Sequence, residues 1–532
     1  MTWKVLFGAI TVSFLVIAGS ATGTRAETPA DQLVVGLGMG NILSMDPGQS
    51  GSAEADIARA NMYDRLLELD AKTFEAKPQL ATEWKVSDEG KLFSFKIREG
   101  ATFASGNPLT ADDIVWTFRR LLTKEMSGGT QLRTFGFTAQ NADERVRISS
   151  NGWVELELNE AIDPTLFYNL LAINSFSIVD SKLAMSHDKD GDMGGGWLAT
   201  NSAGSGPFVL SRYEPNNIAL FDRNPHFWGK APAMKRFIIR HMPESQTQRL
   251  SLERGDIDLA ISLSGADLTA LTANKDVKID YEPDGGFYFL AVSEEQERFK
   301  DKRVREALRY LVDYKGLADT VLRHYGTAWT GPLAPHLQPQ IEAPQWPLDP
   351  DKAKALLAEA GFPDGMDVTL RALSDTPFAD LATAIQASLA KGGIRAKIIT
   401  GGGSVVYDKM RERDFDMVVG RGGSVSPHPY AMATILYNAD NSADAKLYSF
   451  HSWRVSQQDP GMNRLLDQAR VERDPAKRTE LYKQVQQEFY DMVSAWQPIA
   501  AVVNPFALRS DVQNLAMHPT RVTRLIDVTK SR

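Results

Sequence analysis

Arg421 is the residue of this 532-residue chain whose setting most directly implies chemistry. It is the lone formal charge in Gly420-Arg421-Gly422-Gly423-Ser424-Val425-Ser426-Pro427-His428-Pro429-Tyr430, a stretch without a carboxylate. A guanidinium is a fixed planar fork of donors that suits a carboxylate or a phosphate. The competing reading is an ion pair with an acid from elsewhere, and the sequence leaves both open. Ser424 and His428 add a hydroxyl and an imidazole to the same loop. Tyr288, in the apolar run Gly285–Val292, and Trp329, before Gly331-Pro332, could stack on a ligand face while offering a polar edge. Each reads equally as core packing. Asn41 follows the first strand-like run and enters by position alone. Asn41, Tyr288, Trp329, Arg421, Ser424 and His428 form the candidate ligand-binding set.

Catalytic patterns are missing. The sequence has no Walker loop, no G-x-S-x-G elbow and no H-E-x-x-H pair. It has no cysteine, which excludes thiol nucleophiles and zinc ribbons. Gly36-Leu37-Gly38-Met39-Gly40 resembles half a dinucleotide fingerprint, but Asn41 follows and no helix clearly starts there. The eight histidines are scattered singly, so no metal site is expected. The acid pairs at 112/113, 256/258 and 414/416 fit helix starts and turns better than acid–base work. The chain therefore reads as no enzyme, with no cofactor. A periplasmic hydrolase is the enzymatic alternative.

The elements that must position the candidates follow from pattern. Leu33–Leu37 reads as a buried strand, and Leu92–Arg98 alternates like a half-buried one. Thr110 is the expected N-cap of a helix opening at Asp112-Asp113. Residues 186–206, with Gly194-Gly195-Gly196, read as a surface loop. Helix-like Ser245–Glu253 runs into Arg254–Ala260, and helix-like Val405–Arg411 into Arg413–Val419. One α-to-β unit in each half suggests two α/β lobes. Gly285–Val292 is read as a strand crossing between them. Lys352–Glu359 reads as a helix stopped by Gly361, and 459–492 as almost wholly helical. The tail from Ile499 should return to the first lobe.

Composition bounds the rest. A chain of this length outgrows one core, since single cores stop growing near roughly 250–300 residues. The formal net charge is −8 with no basic run, which argues against nucleic acid as a partner. Residues 1–26 read as a signal peptide: Lys4, the apolar run Val5–Ala18, then small residues to Ala26. That run is short of the roughly 20 residues that span a bilayer. Without cysteine no lipoprotein anchor is expected, so the mature chain should be free in the periplasm.

One resemblance is specific. Pro78-Gln79-Leu80-Ala81-Thr82-Glu83-Trp84, Asp88-Glu89-Gly90, Phe95–Gly100 with Phe103, and Gly106–Asp113 resemble the signature region of the extracellular solute-binding protein family 5. So do Gly204–Phe208, Arg223–Trp228, Arg303–Leu308, Leu356–Phe362 and Asp474-Pro475 to Arg478, in the family's order. The resemblance implies a two-lobed periplasmic binding protein fold of type II, of the large cluster with an extra subdomain in lobe I. Lobe I would span 27–281, lobe II 282–496, and 497–532 would return to lobe I. It implies a receptor, likewise monomeric, that closes on a small solute and serves ABC permease subunits of the inner membrane. A sensor presenting its closed form to a membrane receptor is the alternative. Peptide-binding members carry an aspartate for the peptide's amino group where this chain has 420–430, without a carboxylate. The ligand expected is thus a small polar or anionic solute, such as an opine, a sugar conjugate or a modified peptide, rather than a plain dipeptide.

Overall fold

The structure, a computed structural model, describes residues 27–49, 52–424, 426–438 and 450–531. The expected signal peptide lies outside the described residues, as does Val425.

The elements that carry the site are, in chain order, β1 (Gln32–Leu37), α1 (Ala53–Met62), α2 (Pro164–Leu171), β2 (Arg236–His241), β3 (Leu259–Ile261), β4 (Val277–Val292), β5 (Met366–Leu373), β6 (Ile394–Gly401), β7 (Met417–Gly423), α3 (Pro475–Asp491) and β8 (Trp496–Arg509). One continuous sheet runs β6–β5–β7–β4–β8–β3–β1–β2 and ends in the hairpin Phe208–Glu214/Ile218–Arg223. The neighbours of β1 and of β5 are parallel to them, whereas β4 and β8 are antiparallel to each other. Such a sheet holds two α/β halves joined by two long strands.

Packing confirms the division. Leu33, Val35 and Leu37 of β1 join one buried cluster with Ala58 and Phe237, while Val34 joins another with Leu252 and Ala260. Burial on both faces explains why β1 is apolar from Leu33 to Leu37 rather than alternating. A separate cluster, from Leu66 to Ile178, is the core of an inserted subdomain with its own four-stranded sheet. The second lobe has its own core, from Phe287 to Val502.

Local signals account for the boundaries. Thr110 caps its helix reciprocally with Asp113. Gly361 adopts φ +94° just beyond the helix Pro350–Glu359, a conformation that favours glycine. Three expectations change. The stretch 459–492 forms two helices, because Asp474 caps α3 and Pro475 opens it. The surface loop 186–206 contains a short helix, Gly195–Leu198. The crossing strand starts at Val277, not Gly285, for its first half is half-polar and is held by pairing to β8 from Val277↔Arg509 to Pro283↔Val503.

Candidate functional site

The lobes meet where β4 and β8 cross, and a single carboxylate organises that place. Asp284 is 3% exposed. The register of β4 on β8 shifts between Pro283 and Phe287, and in this irregularity the Gly286 N–H donates to Asp284 Oδ1 at 2.8 Å. Asp284 Oδ2 accepts three further bonds. Arg421 Nη2, from β7 of the second lobe, donates at 2.9 Å. Arg521 Nη2, from the C-terminal segment of the first lobe, donates at 3.0 Å. Asn504 Nδ2, on β8, donates at 3.1 Å, and its Oδ1 accepts from Arg421 Nη2 at 3.1 Å. Burial pushes the Asp284 pKa up, and the charges of Arg421 and Arg521 more than reverse this, leaving it at about 2.

The glycines around Arg421 have a packing cause. β7 pairs with β4 from Gly423↔Gly286 to Met417↔Val292. A Cβ on Gly422 would lie 2.3 Å from His451 Nε2, and Gly423, at φ +139°, would carry one 2.6 Å from the Gly286 Cα. The Tyr407 hydroxyl accepts from the Arg421 N–H at 3.3 Å and donates to its carbonyl at 3.2 Å. The Arg421 backbone is thereby fixed while its side chain stays 31% exposed.

A second contact joins the lobes further out. Asp163 caps α2 of the inserted subdomain. Its Oδ2 accepts from His428 Nε2 at 2.8 Å and forms an ion pair with Arg478 Nε, on α3, at 2.9 Å. His428 Nδ1 accepts from the Tyr430 N–H at 3.1 Å, so Nε2 carries the proton. Burial pushes the His428 pKa down despite Asp163, and the ring is neutral at pH 7. Arg470 pairs with Glu160 alongside. Two cavities flank His428. One, of about 500 Å³, is lined by Phe74, Tyr168, His336, Leu337 and Pro427 among others. The other, of about 350 Å³, is lined by Gln338, Arg478 and Tyr482. His336 is close enough to feel the Asp284 charge.

The six sequence candidates separate. Arg421 pairs with an acid, the second of its two readings, while its side chain stays partly exposed. Ser424 follows it, its Oγ accepting from the Ser426 N–H at 3.1 Å. His428 belongs to the interlobe contact. Tyr288 is buried against Phe378, with ring centroids 5.7 Å apart. Trp329 is half-buried and donates Nε1–H to the Leu333 carbonyl at 2.9 Å, tying its own loop. Asn41 is exposed beside the edge hairpin, where the Cβ position of Gly40 faces Asn216 at 3.9 Å. The structure does not bring Trp329 and Asn41 to the Arg421 group, whereas Tyr288 stands directly opposite Arg421 in the β4–β7 ladder and feels its charge. Sequence reasoning missed Asp284, Asn504, Arg521 and Asp163. Asp163-Pro164 carries a helix-start signal; Arg521 carries none.

Residues 75–444 match the family described as bacterial extracellular solute-binding proteins, family 5 Middle. The chain belongs to that family. Among its family 5 relatives is the probable D,D-dipeptide-binding periplasmic protein DdpA of Escherichia coli, 27% identical over 90% of each chain. Another is heme-binding protein A of Haemophilus influenzae, 26% identical over 86% of this chain and 85% of that one. The periplasmic binding protein DppA of Helicobacter pylori, solved with the peptide STSA, superposes with a TM-score of 0.80 at 22% identity, covering 94% of this chain and 98% of that one. The fold is therefore the two-lobed family 5 fold, and the homologues are periplasmic binding proteins. Among the described residues no helix is long and apolar enough to cross a membrane, and no group of His, Asp or Glu could hold a metal ion.

Proposed function

We propose that this chain is the periplasmic receptor of an ABC importer, capturing a small polar solute between its lobes and presenting the closed form to permease subunits. The observation that carries this reading is the interlobe cavity of about 500 Å³, walled by the hairpin turn at Phe74 and by α2 on one side and by His336–Gln338 and Pro427–Pro429 on the other. That volume lies within the roughly 300–1,000 Å³ of small-molecule sites. Walls drawn from both lobes make occupancy depend on their approach, the condition for hinge closure around a ligand. The names of relatives support the class and spread over ligands: dipeptides, heme and, in a structure of AgaA, agropinic acid. Arg421, Ser424 and His428 are the members of the sequence set that this reading keeps as ligand neighbours.

Small-angle scattering of the mature chain with a metabolite library tests it. The expected result is a smaller radius of gyration with a subset of solutes, and a matching retained mass in native mass spectrometry of gently purified protein. A radius unchanged across the whole library would sink the reading.

A further inference from the structure

We propose that the solute carries an oxyanion, a carboxylate or phosphate group, held jointly by Arg421 and Arg521 at the floor of the crevice. The inference rests on the receptor reading and specifies its ligand.

Two guanidiniums from opposite lobes converge on one carboxylate oxygen, at 2.9 and 3.0 Å. Each donates to Asp284 through one nitrogen, Nη2. Arg421 spends a second Nη2 hydrogen on Asn504, and among the described residues its Nε and Nη1 have no acceptor. Arg521 Nε is buried, with no acceptor among the described residues. Both side chains remain 31% exposed, whereas the carboxylate between them is 3% exposed. The exposed side of this group is therefore cationic, with the anion beneath it. Like charges this close need more counter-charge than one carboxylate supplies, and an oxyanion matches the fork geometry of the unspent Arg421 donors.

The neighbouring acids do not supply that charge. Asp56 and Glu54 of α1 act on Arg521 from a distance, and Asp56 is also set against Arg59. Glu282, on the same strand as Asp284, is half-buried with no hydrogen bond to another described residue, and burial raises its pKa to about 8. Asp284, the carboxylate between the two guanidiniums, is already held by both of them. A solute that depends on a free amino group fits this floor poorly.

The test is isothermal titration of the mature chain at constant ionic strength with three probes: acetate, inorganic phosphate and methylammonium. Saturable binding of at least one anion, near millimolar, is expected, with no methylammonium binding. R421Q and R521Q should each weaken the anion by about tenfold or more. R421K and R521K, which keep the charge and lose the fork, should fall between wild type and the Gln variants. Acetate alone points to a carboxylate solute, phosphate alone to a phosphoryl solute, and binding of both supports the shared chemistry. No anion binding by the wild type, or unchanged affinity in all four variants, overturns the proposal. Scattering separates the two failures. Closure on a neutral solute without anion binding removes the oxyanion and leaves the receptor. Anion binding without closure on any solute removes the receptor.

Discussion

At the scale of single residues, Asp284 and Glu282 sit two positions apart and respond oppositely to pH. The Asp284 pKa is lowered to about 2, so its contribution is present above the unfolded value and is lost as pH falls through roughly 4 to 2. Asp284→Asn should leave two guanidiniums facing each other, costing on the order of 3 kcal/mol in urea unfolding at pH 7. Its stability should also lack the wild-type fall across that acid window. The Glu282 pKa is raised to about 8, so the folded state holds a proton that the unfolded chain releases, and stability declines as pH rises between about 4.5 and 8. Glu282→Gln should flatten the decline in the melting temperature over that range. Arg421 was legible in the sequence because it stands alone among glycines and small polar residues. Its partner was not, because Asp284 lies 137 positions away and Arg521 a further 100 or so beyond Arg421. No local rule joins residues so distant, and only the crossing of β4 and β8 does so.

At the scale of elements, the glycines of β7 are set by what passes behind them. Gly422→Ala would drive a methyl group into His451 and Phe289, so a loss of about 1–3 kcal/mol in thermal or urea unfolding is expected. The interlobe contact built on the cap of α2 has its own signature. Neutral His428 donates to Asp163 while accepting from Tyr430. Its lowered pKa means that protonation favours the separated state. The contact is intact at neutral pH and weakens as pH falls below about 6.5, where the free ring gains its proton. Hydrogen exchange at the start of α2 should therefore accelerate between pH 7 and 5 in the wild type and lose that dependence in His428→Ala. Helix ends were readable here, since Asp163-Pro164 and Asp474-Pro475 pair a capping side chain with a proline suited to the first turn. The first half of β4 was not, because Lys278, Asp280 and Glu282 give it a polar face and its strand form depends on β8.

At the scale of the whole molecule, four buried clusters and two shared strands define the mechanics. The inserted subdomain and the second lobe each bury their own apolar residues, so they can move as units about the crossing. Asp163→Asn together with His428→Ala should enlarge the ligand-free radius of gyration without changing the far-ultraviolet spectrum. A radius equal to wild type would show that this contact does not hold the lobes together. The overall architecture was legible because family motifs span the chain and its α-to-β unit recurs. The placement of Tyr288, Trp329 and Asn41 was not, because an aromatic or a strand-end residue reads the same whether it meets a ligand or its own core. The topology also sets a timetable. β3 finds its antiparallel partner in β8, with Leu259 opposite Leu508, so that neighbour is synthesised some 250 residues later. A ribosome must finish nearly the whole polypeptide before the earlier half can seal its edge, which keeps the emerging chain open to chaperones for most of its synthesis.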